Sequence, residues 1–285
     1  MATMRQIRSR IRVAKNIEQI TKAMKMVAAA RLKRAQDRVQ NARPYAARMR
    51  DVMASLASAQ NERVLHPLLE PRPIRRVGIV VITADRGLCG SYNAAAIRRA
   101  LELIHSVDRS DLRLYTIGRK AAQFFGSRGY PVARSFQINS SSLSMADAAA
   151  IAGALRDAFE SGEVDEVSIV YTQFVSAITQ RPAELRLLPM QAPEQAGAPD
   201  RYLYEPEAKE LIGQLIPRYL VNQVFQALLE SVASEHGARM TSMSSATDNA
   251  AKMISSLTLS LNRARQAGIT KEISEIVGGA EALKA

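Results

Sequence analysis

The chain has 285 residues and a formal charge of +12, from 39 basic and 27 acidic side chains. The excess is not spread evenly. Residues 1–50 hold fourteen Lys and Arg against Glu18 and Asp37, while 51–206 and 207–285 are each balanced. A uniformly basic protein is excluded, and so is wholesale disorder, because 47% of the residues are apolar and 23% charged, ordinary values for a folded chain.

Residues 1–77 contain no glycine. Apolar or small side chains recur at Ile7, Ile11, Ala14, Ile17, Ile20, Met24, Ala28, Leu32, Ala35, Val39, Ala42, Ala46, Met49, Met53 and Leu56, a mean step of 3.5 residues. That is the period of a coiled-coil seam. A helix over 3–57 would be roughly 80 Å long at about 1.5 Å per residue, too long for a helix packed on one globular body. Only Pro44 interrupts it, at the loss of one hydrogen bond. The seam is rich in Ala and Met, so a partner helix should approach closely.

The grammar changes after the proline-rich stretch Pro67–Pro73. Arg76 to Thr83 is a β-branched apolar run that reads as a buried strand of a parallel sheet. A Gly-containing turn leads to a helix over Asn93–Ser106. Leu112–Ile117 is a second strand and Arg119–Ser127 a second helix. Pro131–Ile138 reads as a third strand, and Met145–Glu160 as an Ala-rich helix capped near Ser144. Glu166–Phe174 is a further strand, and Ala183–Leu188 an edge strand. This alternation predicts a small α/β domain over 75–190. The linker Pro189–Pro206 follows.

Leu211, Ile212, Leu215 and Ile216 then form an apolar patch ending at Pro217. Beyond it a helical pattern runs through Leu220, Val224, Leu228, Val232, Met240, Met243, Ala246, Ala250, Met253, Leu257, Leu261, Ala264, Ile269, Ile273, Ile276 and Ala280. Pro217 is expected in the first turn, where its missing donor costs little. Gly237 and Gly268 would each cost about 1 kcal/mol inside a helix, so they either break it or mark close contacts. The two rods flank the α/β domain and have comparable lengths. The expected fold is therefore α/β, with N-terminal (1–62) and C-terminal (207–285) helices in a long antiparallel coiled coil and a Rossmann-like domain (75–190) inserted between them.

Catalytic signatures are missing. Thr83–Ser91 occupies the strand-to-helix position of a phosphate loop, yet the chain contains no G-x-x-x-x-G-K-[ST] and no G-x-G-x-x-G. A tight turn for helix–sheet packing is the expectation. Cys89, the single cysteine, cannot form an internal disulfide and points to a reducing compartment. As a nucleophile it would need a base, and His66, His105 and His236 lie in no motif. No metal-ligand cluster or GxSxG is present, and Asp165 and Glu166 carry no mark of an acid/base pair. No run suits a bilayer span. The Arg-rich start resembles a transit peptide in part but runs on far past a usual cleavage point. The basic segment leaves three partner classes: nucleic acid, an anionic membrane surface, or an acidic protein. A single aromatic, Tyr45, argues against base stacking, and the Ala-rich seam argues against membrane insertion. A basic coiled-coil nucleic-acid-binding or scaffold protein remains the alternative reading.

Three stretches carry a resemblance. IRSRIRVAKNIEQITKAMKMVAAARLKRAQ (Ile7–Gln36), DRGLCG (Asp85–Gly90) and ATDNAAKMISSLTLSLNRARQAGITKEISEIVGGAEAL (Ala246–Leu283) together resemble the gamma subunit of rotary F-type ATP synthase. The block Ile269–Ala280 is the most specific. The resemblance implies a central rotor shaft that couples ion flow through the membrane c-ring to ATP synthesis or hydrolysis on a ring of three alpha and three beta subunits. It implies one copy per complex, with contacts to alpha, beta, delta/epsilon and the c-ring and none to nucleic acid. The chain would be peripheral to the cell (inner) membrane on its cytoplasmic side. It would have no catalytic, cofactor or metal site, since ATP, ADP and Mg bind the partner subunits. Carried over residue by residue, Met24, Lys25, Arg265, Gln266, Thr270 and Glu272 would meet the beta subunits. Met24 is open to a second reading, as a seam residue packed on the C-terminal helix. Asp85, Arg86, Gly87, Leu88, Cys89 and Gly90 would form an exposed loop with no nucleotide role. Chloroplast members carry a regulatory insertion with a cysteine pair, which this chain lacks, so a bacterial origin fits better.

Overall fold

A computed structural model of the protein describes residues 3–59, 66–191 and 208–282. From residue 192 on, the expected linker lies outside the described residues, as do the side chains of Leu56, Ile212 and Ala280. In chain order the elements are α1 (Met4–Ala59), a 3-10 turn (Pro67–Leu69), β1 (Val77–Ile82), α2 (Tyr92–Ile104), β2 (Leu112–Ile117), α3 (Arg119–Ser127), β3 (Val132–Phe136), α4 (Met145–Glu160), β4 (Glu166–Phe174), β5 (Gln180–Leu188) and α5 (Ala208–Ala282). Two compact units result, Met1–Val27 with Met240–Ala285, and Ala28–Arg239.

The larger unit is built on a five-stranded sheet of order β3-β2-β1-β4-β5. β1 to β4 are parallel, and β5 returns antiparallel on β4. β1, VGIVVI, is a run of β-branched and aliphatic residues around one glycine because both faces are covered. On one face Ile79, Val81, Leu112, Leu114 and Val170 pack against Ile97, Ala100 and Ile104 of α2 and Ala121 and Phe125 of α3. On the other, Val80, Ile82, Ile117, Val167 and Ile169 belong to a core with Ile151, Leu155 and Phe159 of α4. The same core takes in Ala35, Val39, Met49 and Met53 of α1 and Ile216, Leu220, Val224 and Leu228 of α5. The two long helices thus join α4 in the second covering layer.

Local signals explain the ends of elements. Ser144 and Asp147 form a capping box at α4, each side chain accepting from the other's backbone N–H. Gly118 has φ 87°, and a Cβ there would lie 2.1 Å from the Thr83 carbonyl oxygen. Only glycine lets the end of β2 and the start of α3 pass that close to β1. Asp165 anchors the entry to β1, accepting from the N–H of Arg75 (3.1 Å) and Arg76 (2.8 Å). Its burial disfavours the charged form, but those bonds and the Arg76 guanidinium outweigh it and hold the carboxyl below its ordinary range.

Two expectations fail here. β5 begins at Gln180, three residues before the expected Ala183, and its pairing with β4 runs past Pro182 to Phe174. Pro182 is tolerated because β5 is an edge, where a missing donor breaks no ladder. Pro217 lies well inside α5 and not in its first turn. An interior proline costs about 3 kcal/mol. Ile216, Tyr219, Leu220 and Val224, all buried around it, outweigh that at roughly 1.5–3 kcal/mol per fully buried large side chain.

Within the larger unit the seam of α1 follows the expected positions. Ala28, Leu32, Ala35, Val39, Met49 and Met53 are buried, with Ala42 and Ala46 half-buried between them.

Candidate functional site

In the smaller unit α1 and α5 run antiparallel. The Thr247 hydroxyl lies 2.8 Å from that of Thr21, which in turn donates to the Ile17 carbonyl at 2.9 Å. Further along α1 and earlier in α5, Lys25 Nζ donates to Ser244 Oγ at 2.9 Å. The buried or half-buried positions of α1 here are Ile7, Ile11, Ala14, Glu18, Thr21 and Met24, and Ala28 continues the run beyond. From Ile7 to Thr21 the steps alternate four and three without a break, and Lys25 and Ala28 fall on the same line. The expected seam positions Ile17 and Ile20 are instead 46% and 59% exposed. The sequence offers two parallel lines one residue apart, and the helix buries the one whose heptad phase persists although it is the less apolar. Glu18, Thr21 and Lys25 are its polar members.

The correction extends to α5. Its half-buried or buried line is Met243, Thr247, Ala250, Ile254, Leu257, Leu261, Ala264 and Gly268. Thr247, Ile254 and Gly268 lie on it, whereas the expected Met253 and Ile269 are exposed; the expected Ala246 is half-buried beside Thr247. A Cβ on Gly268 would meet nothing within 4 Å, so this glycine marks no close contact.

The displaced line faces water. Val13, Ile17, Ile20 and Val27 are exposed, with Met24 half-buried among them. Exposed basic residues flank it, Arg8, Arg12, Lys15 and Lys22. A contiguous apolar stripe of this kind in water marks a surface that binds something. Met24 therefore lies between the two lines, and Lys25 bonds across the helix pair while remaining exposed.

Arg265, Gln266, Thr270 and Glu272 are all exposed. Carrying the Thr21–Thr247 register along the helices sets Met4, where α1 begins, level with Ala264. Arg265 and Gln266 thus sit where the pair ends, and Thr270 and Glu272 lie on an extension that α1 does not reach. From Ile269 to Gly279 every side chain is exposed, including Ile269, Ile273 and Ile276 at one-face spacing. Lys271 and Glu275 pair there at 3.5 Å.

The loop Asp85–Gly90 belongs to the larger unit and lies between β1 and α2. Arg86, Gly87, Leu88 and Gly90 are exposed, but Asp85 is half-buried and Cys89 only 1% exposed. Cys89 is thus a correction to the expected exposed loop. Its Sγ lies 3.2 Å from Asn93 Nδ2, and burial pushes the thiol up despite Arg239 nearby. A neutral buried thiol is a poor nucleophile. Asp85 accepts from the Arg119 N–H at 3.0 Å, and Asn93 accepts from the Ala84 N–H at 2.9 Å. Leu88 adopts φ 62°, the one described non-glycine residue with positive φ. The Gly87 carbonyl accepts from Arg239 of α5 at 3.4 Å.

This loop opens the crevice where a doubly wound sheet usually holds its ligand, beyond the carboxyl ends of strands that meet at a topological switch. Here the switch lies between β1 and β4, and α5 fills it. The Ser231 hydroxyl accepts from the Thr172 N–H (3.2 Å), and Ser234 donates to the Thr172 carbonyl (3.0 Å). Among the described residues there is no His, Cys, Asp and Glu group able to hold a metal ion, and no helix is long and apolar enough to cross a membrane.

A family model described as ATP synthase matches residues 3–283. The ATP synthase gamma chain of Heliobacterium modesticaldum is 50% identical, across 99% of this chain and 100% of its own length. The chain belongs to the ATP synthase gamma-chain family. A second relative, the ATP synthase gamma chain of Desulfitobacterium hafniense, is 50% identical over the whole of both chains. Among solved structures, a chain of the central stalk and c-ring of Tetrahymena thermophila mitochondrial ATP synthase aligns with TM-score 0.61 and 28% identity, covering 80% of this chain and 99% of that one. A chain of the Euglena gracilis mitochondrial ATP synthase aligns with TM-score 0.69 and 18% identity, covering 98% and 94%. It shares the fold of this gamma-chain-family member: a parallel-sheet α/β body with long terminal helices.

For this family member, reading the sequence missed the polar seam and the polar face of α5 around Ser231 and Ser234. Both left a signal. Strict alternation of three and four from Ile7 passes through Glu18 and Thr21, and two serines three residues apart interrupt an otherwise apolar helix face.

Proposed function

We propose that this chain is the central rotor shaft of an F-type ATP synthase, one copy per complex, non-catalytic, and turning within a ring of alpha and beta subunits. The single observation that carries this is the match to gamma chains along the whole length, at 50% identity. Residues 1–62 and 207–285 are then the shaft helices and 75–190 the body, which we assign to the delta/epsilon and c-ring side. ATP, ADP and Mg belong to the partner subunits. Support for that reading comes from α5 lying in the switch-point crevice, where a nucleotide would otherwise sit. In the assembled enzyme the chain is peripheral to the cell membrane on the cytoplasmic side.

The mechanism follows from surface asymmetry. A shaft biases a catalytic subunit only through contacts that differ between its states. The α1 face described above is basic and apolar, whereas the α5 extension carries Arg265, Gln266, Thr270 and Glu272 beside exposed isoleucines. Turning the shaft changes which of these faces a given subunit meets. Charge on α1 orients acidic partner loops and speeds their encounter more than it adds affinity, while the polar groups of α5 form bonds that break on each turn.

Mixing the chain with alpha and beta subunits tests the proposal. A complex with one copy of this chain and high ATPase activity is expected, and Arg265→Ala or Gln266→Ala should lower torque or coupling while the chain still folds. Failure of the wild-type chain to assemble would refute the rotor reading. Unchanged rotation in both variants would refute the assignment of the contact residues.

A further inference from the structure

β4 outruns β1. The last parallel pair is Val81 with Val170, yet β4 continues to Phe174. On its β1 side the backbone of Thr172 therefore has no strand partner, and a buried unpaired N–H or C=O is costly. Two hydroxyls of α5 replace that strand: Ser231 accepts from the Thr172 N–H and Ser234 donates to its carbonyl, both in buried positions. One turn further along α5, Gly237 faces the β4–β5 turn. A Cβ there would lie 3.1 Å from both the Ala177 carbonyl oxygen and Gln180 Nε2. That turn is braced from within, because Gln180 Nε2 donates to the Ala177 carbonyl (3.0 Å) and the Thr179 N–H to Ser176 Oγ (3.0 Å). Arg239 then holds the other loop, bonding the Gly87 carbonyl while pairing with Glu235 at 2.6 Å, with both side chains largely buried.

We propose that Ser231–Arg239 is a torsional grip, in which the two loops at the carboxyl ends of β1 and β4 clasp α5 and stop the α/β body from turning about that helix. The clasp has three kinds of contact, and each resists rotation. Paired hydroxyls fix the azimuth of α5 against β4. The glycine notch seats a rigid turn, which a helix rotated by one residue would drive into a side chain. The arginine hooks a loop carbonyl on the opposite flank. In chemical terms, the crevice that other α/β sheets use for a nucleotide here takes a helix of the same chain. Gly237 and the Ser231/Ser234 pair are therefore positioning residues. Their role in transmitting torque rests on the rotor reading, but the clasp itself does not.

The test uses two variants, Ser234→Ala and Arg239→Ala, each small enough to leave the apolar core intact. In the free full-length chain, amide hydrogen exchange at residues 85–90 and 175–180 should rise about tenfold, the effect of losing one hydrogen bond, with β1 and β2 unchanged. In the assembled enzyme, a probe on an exposed site of the body, Arg128→Cys, should show a wider angular distribution while the ring is held still. Unchanged exchange at both loops would overturn the clasp. Faster exchange with an unchanged angular distribution would overturn its torsional role. If the wild-type chain forms no rotating complex, the rotor reading fails, and the exchange measurement still decides whether the clasp exists.

Discussion

His236 makes the fold sensitive to acid in a calculable way. The ring is 2% exposed and lines a cavity of about 50 Å³ with Arg31, Arg34, Arg38, Ser140, Ser141 and Leu143. Burial, then the charges of Arg239, Arg31 and Arg34, push its pKa down to about 4. In the unfolded chain the value returns to about 6.5. At pH 7 both states hold the ring neutral, and folding is indifferent to it. As pH falls below 6.5 the unfolded state takes up a proton that the folded state refuses until pH 4, so stability drops across that window and no further below it. Linkage gives a loss of about 2 kcal/mol between pH 7 and 5, and about 3 kcal/mol by pH 4. Denaturant unfolding of wild type and His236→Gln at pH 7 and 5 isolates this contribution, since Glu235 and Arg239 are present in both chains. Wild type should lose about 2 kcal/mol more than the variant, and the ring resonances should titrate near 4. A midpoint at 6 or above, or an equal loss in the two chains, would refute the reasoning.

Three further outcomes are expected. Gly118→Ala should destabilise by about 3 kcal/mol or more, because the new Cβ meets the Thr83 carbonyl oxygen and the backbone is left-handed there; the midpoint of thermal unfolding reads it. Asp165→Asn should cost about 1–3 kcal/mol at pH 7 through the N–H groups of Arg75 and Arg76. Because the native carboxyl is held below its unfolded value, its contribution is present at neutral pH and lost as pH falls through the folded value, so the gap between wild type and variant should close in acid. Ser144→Ala should cost about 1 kcal/mol and speed amide exchange in the first turn of α4 alone.

Much of the fold could be read directly. The strand Val77–Ile82 is covered on both faces and so is a continuous apolar run, and Leu112–Ile117 is apolar but for Arg113 and Thr116. The cap at Ser144 is a local motif whose partner, Asp147, lies three residues away. Harder were the features that depend on something distant in the chain. Ile17 and Ile20 are better seam residues by composition than Glu18 and Thr21, and nothing local says which line meets α5. The answer is held in Thr247 and Ser244, more than two hundred residues away. Pro217 looked like a helix start because its cost is local, while the burial that offsets it is not. The contact residues Arg265, Gln266, Thr270 and Glu272 came from resemblance to a family. The structure adds that they lie where α1 runs out.

The charge concentrated in residues 1–50 and the two long helical patterns are properties of sequence alone. So is the alternation of strand and helix between them, because all three depend on residues a few positions apart. The tertiary structure decided the phase of the helix pair, which apolar stripe is left in water, and what occupies the crevice of the sheet. Each of those is a choice between nearly equal local options. It is settled by which partner atoms, far off in sequence, are present to satisfy a hydroxyl, a carbonyl or an apolar face.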